Sequence, residues 1–132
     1  MRILTAPSFD RDLRGSELDD GDLKTAVSEI EAGLVDANLG GELLKKRIAR
    51  PGGGKSGGFR TVLAYRHGER VVFMHLFAKK EKSNVTKSEL AALKTLAKAY
   101  MSLSAEELDK AVLTRALREV KQDVPNSSER PR

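Results

Sequence analysis

The spacing of apolar residues changes along the chain, and each spacing predicts a different kind of element. A short apolar run over residues 2–6 predicts a strand, and residues 8–14 predict a short helix that ends at Gly15. A longer helix is predicted to follow an aspartate N-cap, Asp19 or Asp20, because the next apolar residues keep the spacing of one helix face. These residues are Leu23, Ala26, Val27, Ile30 and Leu34.

The central part of the chain predicts three strands. Residues 43–49 form the first, and a glycine-rich loop over residues 51–58 separates it from two strongly apolar strands at residues 59–67 and 70–79. The short connection at residues 68–69 makes the last two strands a hairpin. Because both are largely apolar on each face, we expect them at the centre of a sheet that helices cover on at least one side.

The C-terminal part is predicted to be helical, and two capping boxes mark where its helices begin. The first box spans residues 86–89 and the second spans residues 104–107, whose helix is predicted to run to about Val120. Residues 121–132 are polar and contain two prolines, which is typical of a disordered tail.

The order of predicted elements is β-α-α-β-β-β followed by helices. This order indicates the α+β class: a small antiparallel sheet, with the N-terminal helices packed on it and extra C-terminal helices. Because two independent cores in 132 residues would each be marginal, we expect one domain over residues 1–120. Residues 103–120 would form its appended C-terminal helix, before the tail at residues 121–132.

Composition excludes several classes of protein. Cysteine is absent, which excludes disulfides, thiolate catalysis and cysteine-based zinc sites. No run of residues approaches the ~20 apolar positions that a membrane span needs, and the N-terminal apolar run is too short for a signal peptide. We therefore expect a cytoplasmic protein without a membrane partner.

The net charge of +5 is unevenly distributed. Residues 1–40 hold four basic and nine acidic side chains, whereas residues 41–82 hold eleven basic and three acidic ones. Cations concentrated in one segment indicate a polyanionic partner, for which phosphate is the obvious candidate. A solvated lysine-rich surface would explain the same charge, and the distribution alone does not separate the two.

Several familiar kinds of site find no support in the sequence. Residues 49–56 fit a relaxed nucleotide-binding P-loop pattern, but such a loop must lead into a helix, and here a strand begins at Phe59. We expect His67 to be solvated in the hairpin turn and His75 to be a core residue of its strand. Two histidines without a carboxylate cluster make no metal site, so neither a metal nor a cofactor is expected.

The strongest candidate site is a cluster of cations at one end of the hairpin. Antiparallel pairing brings Arg60 beside residues 77–80. A two-residue turn would put Lys79 on the face of Arg60, whereas a three-residue turn or one bulge would put Lys80 there. If the first central strand pairs alongside, it and the glycine-rich loop bring more cations to this end: Lys45, Lys46, Arg47, Arg50 and Lys55. Such a cluster can neutralise the charge that develops on phosphate during metal-free RNA cleavage, or it can dock phosphate without chemistry.

The hairpin resembles the core of the RelE toxins. In that family, a strand with an aromatic–Arg pair is followed by a hairpin strand that ends in a Gly-Lys-Arg-Glu-Arg-Ser type of motif. Here Phe59-Arg60 opens one strand and Lys79-Lys80-Glu81-Lys82-Ser83 follows the other. Residues 39–60 are also similar to a RelE/HigB-like subgroup of type II toxin–antitoxin systems.

This resemblance implies a fold of the microbial RNase type and an endoribonuclease (mRNA interferase) that cuts mRNA, usually on the ribosome, and so inhibits translation. It assigns Arg60 to the family's phosphate-stabilising strand arginine and Lys80 to its second catalytic arginine. Thr86 stands where the family often has a tyrosine. The RNA contacts expected around this pair are Lys45, Lys46, Arg47, Arg50, Lys55, Lys79 and Lys82.

The partners that the resemblance implies are mRNA or the ribosome and a cognate antitoxin. Many such antitoxins carry a helix-turn-helix domain, so operator DNA would be bound only through the antitoxin.

Two other functions fit part of the pattern. A related ParE-like toxin would bind DNA gyrase without doing chemistry, and an RNA-binding or ribosome-binding module would hold RNA without cutting it. The combination of Arg60 with the cations at residues 79–82 favours the nuclease, because the gyrase-directed toxins generally lack a full cationic catalytic set.

Overall fold

The computed structural model describes residues 1–50, 52–53, 58–78 and 85–122 of the chain. The predicted α+β class is confirmed, with a six-stranded sheet and four helices in the described part. No helix in these ranges is long and apolar enough to cross a membrane. The elements in chain order are β1 (Arg2–Thr5), α1 (Pro7–Arg14), α2 (Asp20–Glu31), β2 (Ala37–Gly40), β3 (Leu43–Ile48), β4 (Phe59–Arg66), β5 (Arg70–Ala78), α3 (Lys87–Ser102), α4 (Ala105–Leu113) and β6 (Arg118–Glu119).

The sheet is mixed, which corrects the predicted antiparallel sheet. Its strand order is β2-β3-β4-β5-β1-β6, and every neighbouring pair is antiparallel except β1 with β5. The β4–β5 hairpin leaves one edge of β5 open, and β1 pairs there in the same direction, with Ile3 opposite Val71. Helices α1 and α2 carry the chain away from β1, so parallel pairing requires no tight turn.

The helix starts follow the capping signals, whereas two helix ends differ from prediction. Capping boxes are present at Asp19, Thr86 and Ser104. Helix α2 ends at Glu31, so Leu34 lies beyond it and is 57% exposed. The helix predicted to reach about Val120 ends at Leu113.

A tight turn after α4 replaces the last predicted helical turns. Arg115 takes a left-handed backbone conformation with φ 65°, and the chain then returns to the sheet as β6. Leu117 and Val120 are buried, as their apolar character requires, but against the sheet rather than along a helix face.

Both faces of the sheet are buried, and each has its own apolar core. Phe59 and Leu63 of β4 belong to the core that α1 and α2 cover, which also contains Phe9, Leu13, Leu23 and Ile30. Val62 and Ala64, which alternate with them, belong to the core under α3 and α4, with Ala97, Met101 and Leu108. Full burial of side chains of this size stabilises the fold by roughly 1.5–3 kcal/mol each.

Two arginines of the sheet form hydrogen bonds with the C-terminal end of α3. Arg66 donates to the carbonyl oxygen of Met101 at 3.1 Å, and Arg70 donates to those of Tyr100 and Leu103 at 3.0 and 2.8 Å. Cations are favourable here because the last carbonyl groups of a helix have no partner within it. At the other end of α3, only partly buried or exposed residues precede Ala97, so α3 packs least closely near its beginning.

Candidate nucleic-acid interface

The register of β3, β4 and β5 places cations side by side at one end of the sheet. One row across the strands is Arg47–Arg60–Phe77, and the next row is Lys45–Val62–His75. Residues directly opposite each other in antiparallel strands share a face, as do residues two apart along a strand. Because Val62 faces the α3–α4 side, so do all the other members of the two rows. We call Lys45, Arg47, Arg60, His75 and Phe77 the cationic face.

Arg60 lies at the centre of the cationic face and is only 5% exposed. Its Nη1 atom is buried without a hydrogen-bond partner. Among the described residues, no ion pair compensates its charge, and its cross-strand neighbour is a second arginine, Arg47. A buried cation without a partner and two like charges directly opposite both destabilise a fold.

Asp36 holds Arg47 in place beside Arg60. The backbone N–H of Arg47 donates to Asp36 Oδ2 at 2.6 Å, and Arg47 Nε lies 3.5 Å from Asp36 Oδ1. The side chain of Arg47 remains 42% exposed, so it can meet a ligand that arrives from solvent. Lys45 is partly buried on the same face.

A β-bulge brings His75 to the cationic face. Val62 pairs with His75 while Leu63 pairs with Phe73, which leaves Met74 as the extra residue of β5. A bulge of this kind re-aims the side chains next to it. His75 is partly exposed, and its ring lies 5.2 Å from the ring of Phe77 at 42°. His75 is therefore half-buried, with its Nε2 atom buried, and nothing in the apolar pattern reveals the bulge.

The turn and the bulge together decide which residue faces Arg60. Arg66 pairs with Arg70, so the connection has three residues rather than two. Compared with a two-residue turn, the three-residue turn moves the residue opposite Arg60 one position back along β5. The extra residue of the bulge moves it one position forward again, so that Phe77 lies opposite Arg60. Four of the predicted site residues lie outside the described residues, and their contribution stays a prediction: Lys55, Lys79, Lys80 and Lys82.

Two predicted RNA contacts lie away from the cationic face. Lys46 points to the α2 side, where it is 3% exposed and its Nζ lies 2.7 Å from Glu29 Oε1 and 2.9 Å from the carbonyl oxygen of Leu34. The expectation that Lys46 contacts RNA is therefore wrong, because strand alternation turns it into the core. Arg50 follows the end of β3, and its Nε lies 3.1 Å from Glu17 Oε1, on the α1 side of the sheet.

Two further residues of the sequence analysis have structural roles. His67 is exposed in the hairpin turn, as expected, with Nδ1 2.9 Å from the hydroxyl of Tyr65. Thr86 caps α3 by accepting a hydrogen bond from the Glu89 amide at 3.2 Å. Within the ranges that the structure describes, no group of three or more histidine, aspartate or glutamate side chains is arranged to hold a metal ion.

Comparison with known families identifies the family of the chain. A family model described as the RelE toxin of the RelE/RelB toxin–antitoxin system matches residues 1–120. No curated protein matches the chain. The family match covers all ten described elements, including the strands that carry the cationic face. The chain therefore belongs to the RelE family and is the toxin of a toxin–antitoxin system, in which its partner is a cognate antitoxin.

Proposed function

We propose that the protein is an endoribonuclease that cuts mRNA on the ribosome without a metal and thereby stops translation. The observation that carries the proposal is the pair Arg47–Arg60: a buried guanidinium whose Nη1 has no hydrogen-bond partner among the described residues, directly opposite a second, solvent-accessible guanidinium. Guanidinium groups bind phosphate through two parallel hydrogen bonds, which makes arginine the preferred residue for such a site.

The cleavage that fits this site is an internal transfer of the phosphoryl group. The ribose 2′-oxygen attacks the adjacent phosphorus and loses its proton, while the bond from phosphorus to the 5′-oxygen breaks and that oxygen gains a proton. The products are a 2′,3′-cyclic phosphate and a 5′-hydroxyl end, and water is not consumed. Negative charge grows on the phosphate oxygens in the transition state, and Arg60 with Arg47 would stabilise it there.

The proton transfers need one group that accepts and one that donates. His75 lies one row from Arg60, is partly exposed, and belongs to the side-chain type most often used for this purpose. Lys80, the counterpart of the family's second catalytic arginine, is the other candidate. A lysine serves as a base near neutral pH only when neighbouring cations or burial lower its pKa.

The remaining cations would hold the RNA strand rather than react with it. Lys45 shares the cationic face, and Arg50 lies beyond the end of β3, on the α1 side of the sheet. Lys55, Lys79 and Lys82 complete the proposed set. Contacts of this kind supply affinity that falls steeply as salt rises, because each neutralised phosphate releases counterions.

The antitoxin is expected to neutralise the toxin by covering the cationic face. If it carries a helix-turn-helix domain, the complex would also bind operator DNA, and the toxin would reach DNA only through it.

The test is expression of the wild type and of the variants Arg60→Ala and Lys80→Ala in a bacterial host without the antitoxin. We expect the wild type to arrest growth and to cut transcripts at sites that primer extension maps, and both variants to lose these effects. Lys98→Ala, which removes an exposed cation from α3, is the matched control and should behave as the wild type. Growth arrest with intact transcripts and gyrase-linked DNA breaks would refute the proposal in favour of a ParE-like inhibitor.

A further inference from the structure

A cavity of about 400 Å³ opens next to the cationic face, on the other side of the end of the sheet. Its apolar wall is formed at the start of β4 and the end of β5, by Phe59, Leu76 and Ala78. Its polar wall comes from the end of α1, the loop after it and the end of β3: Arg11, Asp12, Glu17 and Arg50. A volume of this size lies within the range of pockets that bind small ligands, roughly 300–1,000 Å³.

The cavity adjoins the proposed cleavage site through two shared strands. Phe59 is the chain neighbour of Arg60, and Phe77 both lines the cavity and lies opposite Arg60. Gly58 keeps the ends of the strands close together, because a Cβ atom there would collide with the carbonyl oxygen of Ile48 and lie 2.9 Å from the amide nitrogen of Arg50. The cavity and the cationic face therefore lie on opposite sides of the same end of the sheet, next to shared residues of β4 and β5.

The charges of the cavity differ from those of the cationic face. Its wall carries two guanidinium groups and two carboxylates, so its formal charge is zero, and Arg50 Nε already lies 3.1 Å from Glu17 Oε1. Carboxylates beside the cations disfavour phosphate. They favour a neutral ligand that offers N–H donors to the carboxylates and acceptors to the guanidinium groups, and that has a flat apolar surface to lie against Phe59.

We propose that this cavity binds a nucleobase of the RNA strand whose phosphate lies on the cationic face. The inference rests on the proposed function, since it gives that site a base-recognition pocket. Proteins that read single-stranded RNA splay a base out of its stack, place it against an aromatic or arginine side chain, and bond its edge. Glu17 and Arg50 would read the edge of the base, and Phe59 would support its ring.

The binding test uses the full ¹⁵N-labelled chain and does not depend on cleavage. Amide shifts of Ser16, Glu17 and Phe59 are followed by NMR during titration with each of the four nucleoside 5′-monophosphates and with ribose 5-phosphate, which has the sugar and phosphate but no base. We expect saturable shifts with at least one nucleotide, and binding of ribose 5-phosphate that is weaker by a factor of about five or more, the equivalent of one hydrogen bond. Equal binding of ribose 5-phosphate, or no shift with any nucleotide, would overturn the inference.

Variants assign the binding to the cavity. Glu17→Gln and Arg50→Gln should each weaken nucleotide binding by a factor of about five. Glu106→Gln, which changes an exposed carboxylate on α4, is the control and should leave it unchanged. If both cavity variants bind as the wild type does, the cavity is not the site. If nucleotides bind as expected but the toxin cuts no RNA, the proposed function fails while the nucleobase pocket stands.

In a toxin that cuts RNA, the same variants should change where it cuts. Glu17→Gln should retain cleavage but redistribute the base found at one position near the cut, as read by sequencing of the new 5′ ends. An unchanged base distribution would contradict the inference and leave the nuclease intact.

Discussion

Arg60 and Arg70 are equally buried on the same face of the sheet, each 5% exposed, but their partners differ completely. Arg70 donates to the carbonyl oxygens of Tyr100 and Leu103, and its Nη2 lies 2.7 Å from Glu69 Oε2. The side chain of Arg60 has no hydrogen bond or ion pair with a described residue, and its Nη1 is buried without a hydrogen-bond partner. Arg70 therefore has partners that stabilise the fold, whereas no described residue compensates the charge of Arg60.

Replacing Arg60 by methionine should stabilise the protein and abolish its toxicity. The substitution removes a buried, uncompensated charge and its repulsion with Arg47 while keeping most of the side-chain volume. We expect the free energy of unfolding, measured with urea on the purified chain, to rise by about 1 kcal/mol. A fall of similar size would show that Arg60 is a structural residue and would contradict the role given to it.

Replacing Arg70 by methionine should have the opposite effect on stability. The carbonyl groups at the end of α3 would lose the guanidinium that donates to them, and Glu69 would lose the nearer of its two cations, keeping only Arg66 at 3.6 Å. We expect the free energy of unfolding to fall by about 2–3 kcal/mol. Unfolding midpoints of the two variants, compared under identical conditions, should therefore move in opposite directions; a shift in the same direction would refute the contrast.

His75 should be needed for cleavage, and His67 should not. His75 lies on the cationic face, whereas His67 lies in the turn at the other end of the hairpin. Loss of a group that transfers protons lowers the rate of a reaction by about 100-fold or more, which is the effect expected of His75→Gln on single-turnover cleavage. His67→Gln is the control of the same residue type. Wild-type rates in both variants would leave Lys80 as the remaining candidate.

Acid should weaken the link between β6 and the N-terminal helices. Arg118 donates to Asp20 at 2.8 and 2.9 Å and to Asp10 at 2.9 Å, and its hydrogen bonds hold the pKa of Asp20 below the ordinary value. A lowered folded-state pKa contributes stability above the unfolded value of about 4, and this contribution disappears as the pH falls through the folded-state pKa. The difference in unfolding free energy between the wild type and Asp20→Asn should therefore shrink below about pH 4.

The matched test of this link is a double-mutant cycle. In an Arg118→Met background, Asp20→Asn should change the pH dependence of unfolding much less, because the main cause of the lowered pKa is gone and only the weaker effect of Lys24 still lowers it. A pH-dependent difference of undiminished size in this background would show that Arg118 does not set the pKa of Asp20.

Gly58→Ala should destabilise the protein although its side chain adds a single carbon. The new Cβ would meet the backbone of β3 at Ile48 and Arg50, which cannot move aside as a flexible side chain can. We expect a loss of about 1–3 kcal/mol in the free energy of unfolding. Gly15→Ala is the control, because a Cβ there lies 3.8 Å from its nearest contact and the backbone φ is −87°. Equal stability of the two variants would contradict the close approach at Gly58.

The parts of the fold that local chemistry determines could be predicted from the sequence. Three helix starts follow from capping side chains, and the apolar density of β4 and β5 indicates a central hairpin. Strands β2 and β6 carry no such signal, because four and two residues are too few for a pattern. Their positions depend on the neighbouring strands β3 and β1, which only the folded chain provides.

The sequence predicts that the candidate site is cationic, but it predicts less well which residues face that site. The gathering of cations at the end of the hairpin follows from antiparallel pairing. Strand alternation separates Lys46 from Lys45 and Arg47, since three consecutive residues of a strand cannot share a face. The bulge at Met74 and the turn of three residues depend on tertiary packing, and together they place His75 and Phe77 beside Val62 and Arg60.

Because β1 lies between β5 and β6, the sheet cannot be completed until the C-terminal strand has been synthesised. Arg2 pairs through two hydrogen bonds with Glu119, which lies 117 positions later in the chain, and β1 has no neighbour on that side until β6 has been made. Contacts so distant in sequence form late and slowly. A ribosome must therefore translate nearly the whole matched region before β6 can pair with β1. The sheet of the nascent toxin is thus incomplete during most of its synthesis.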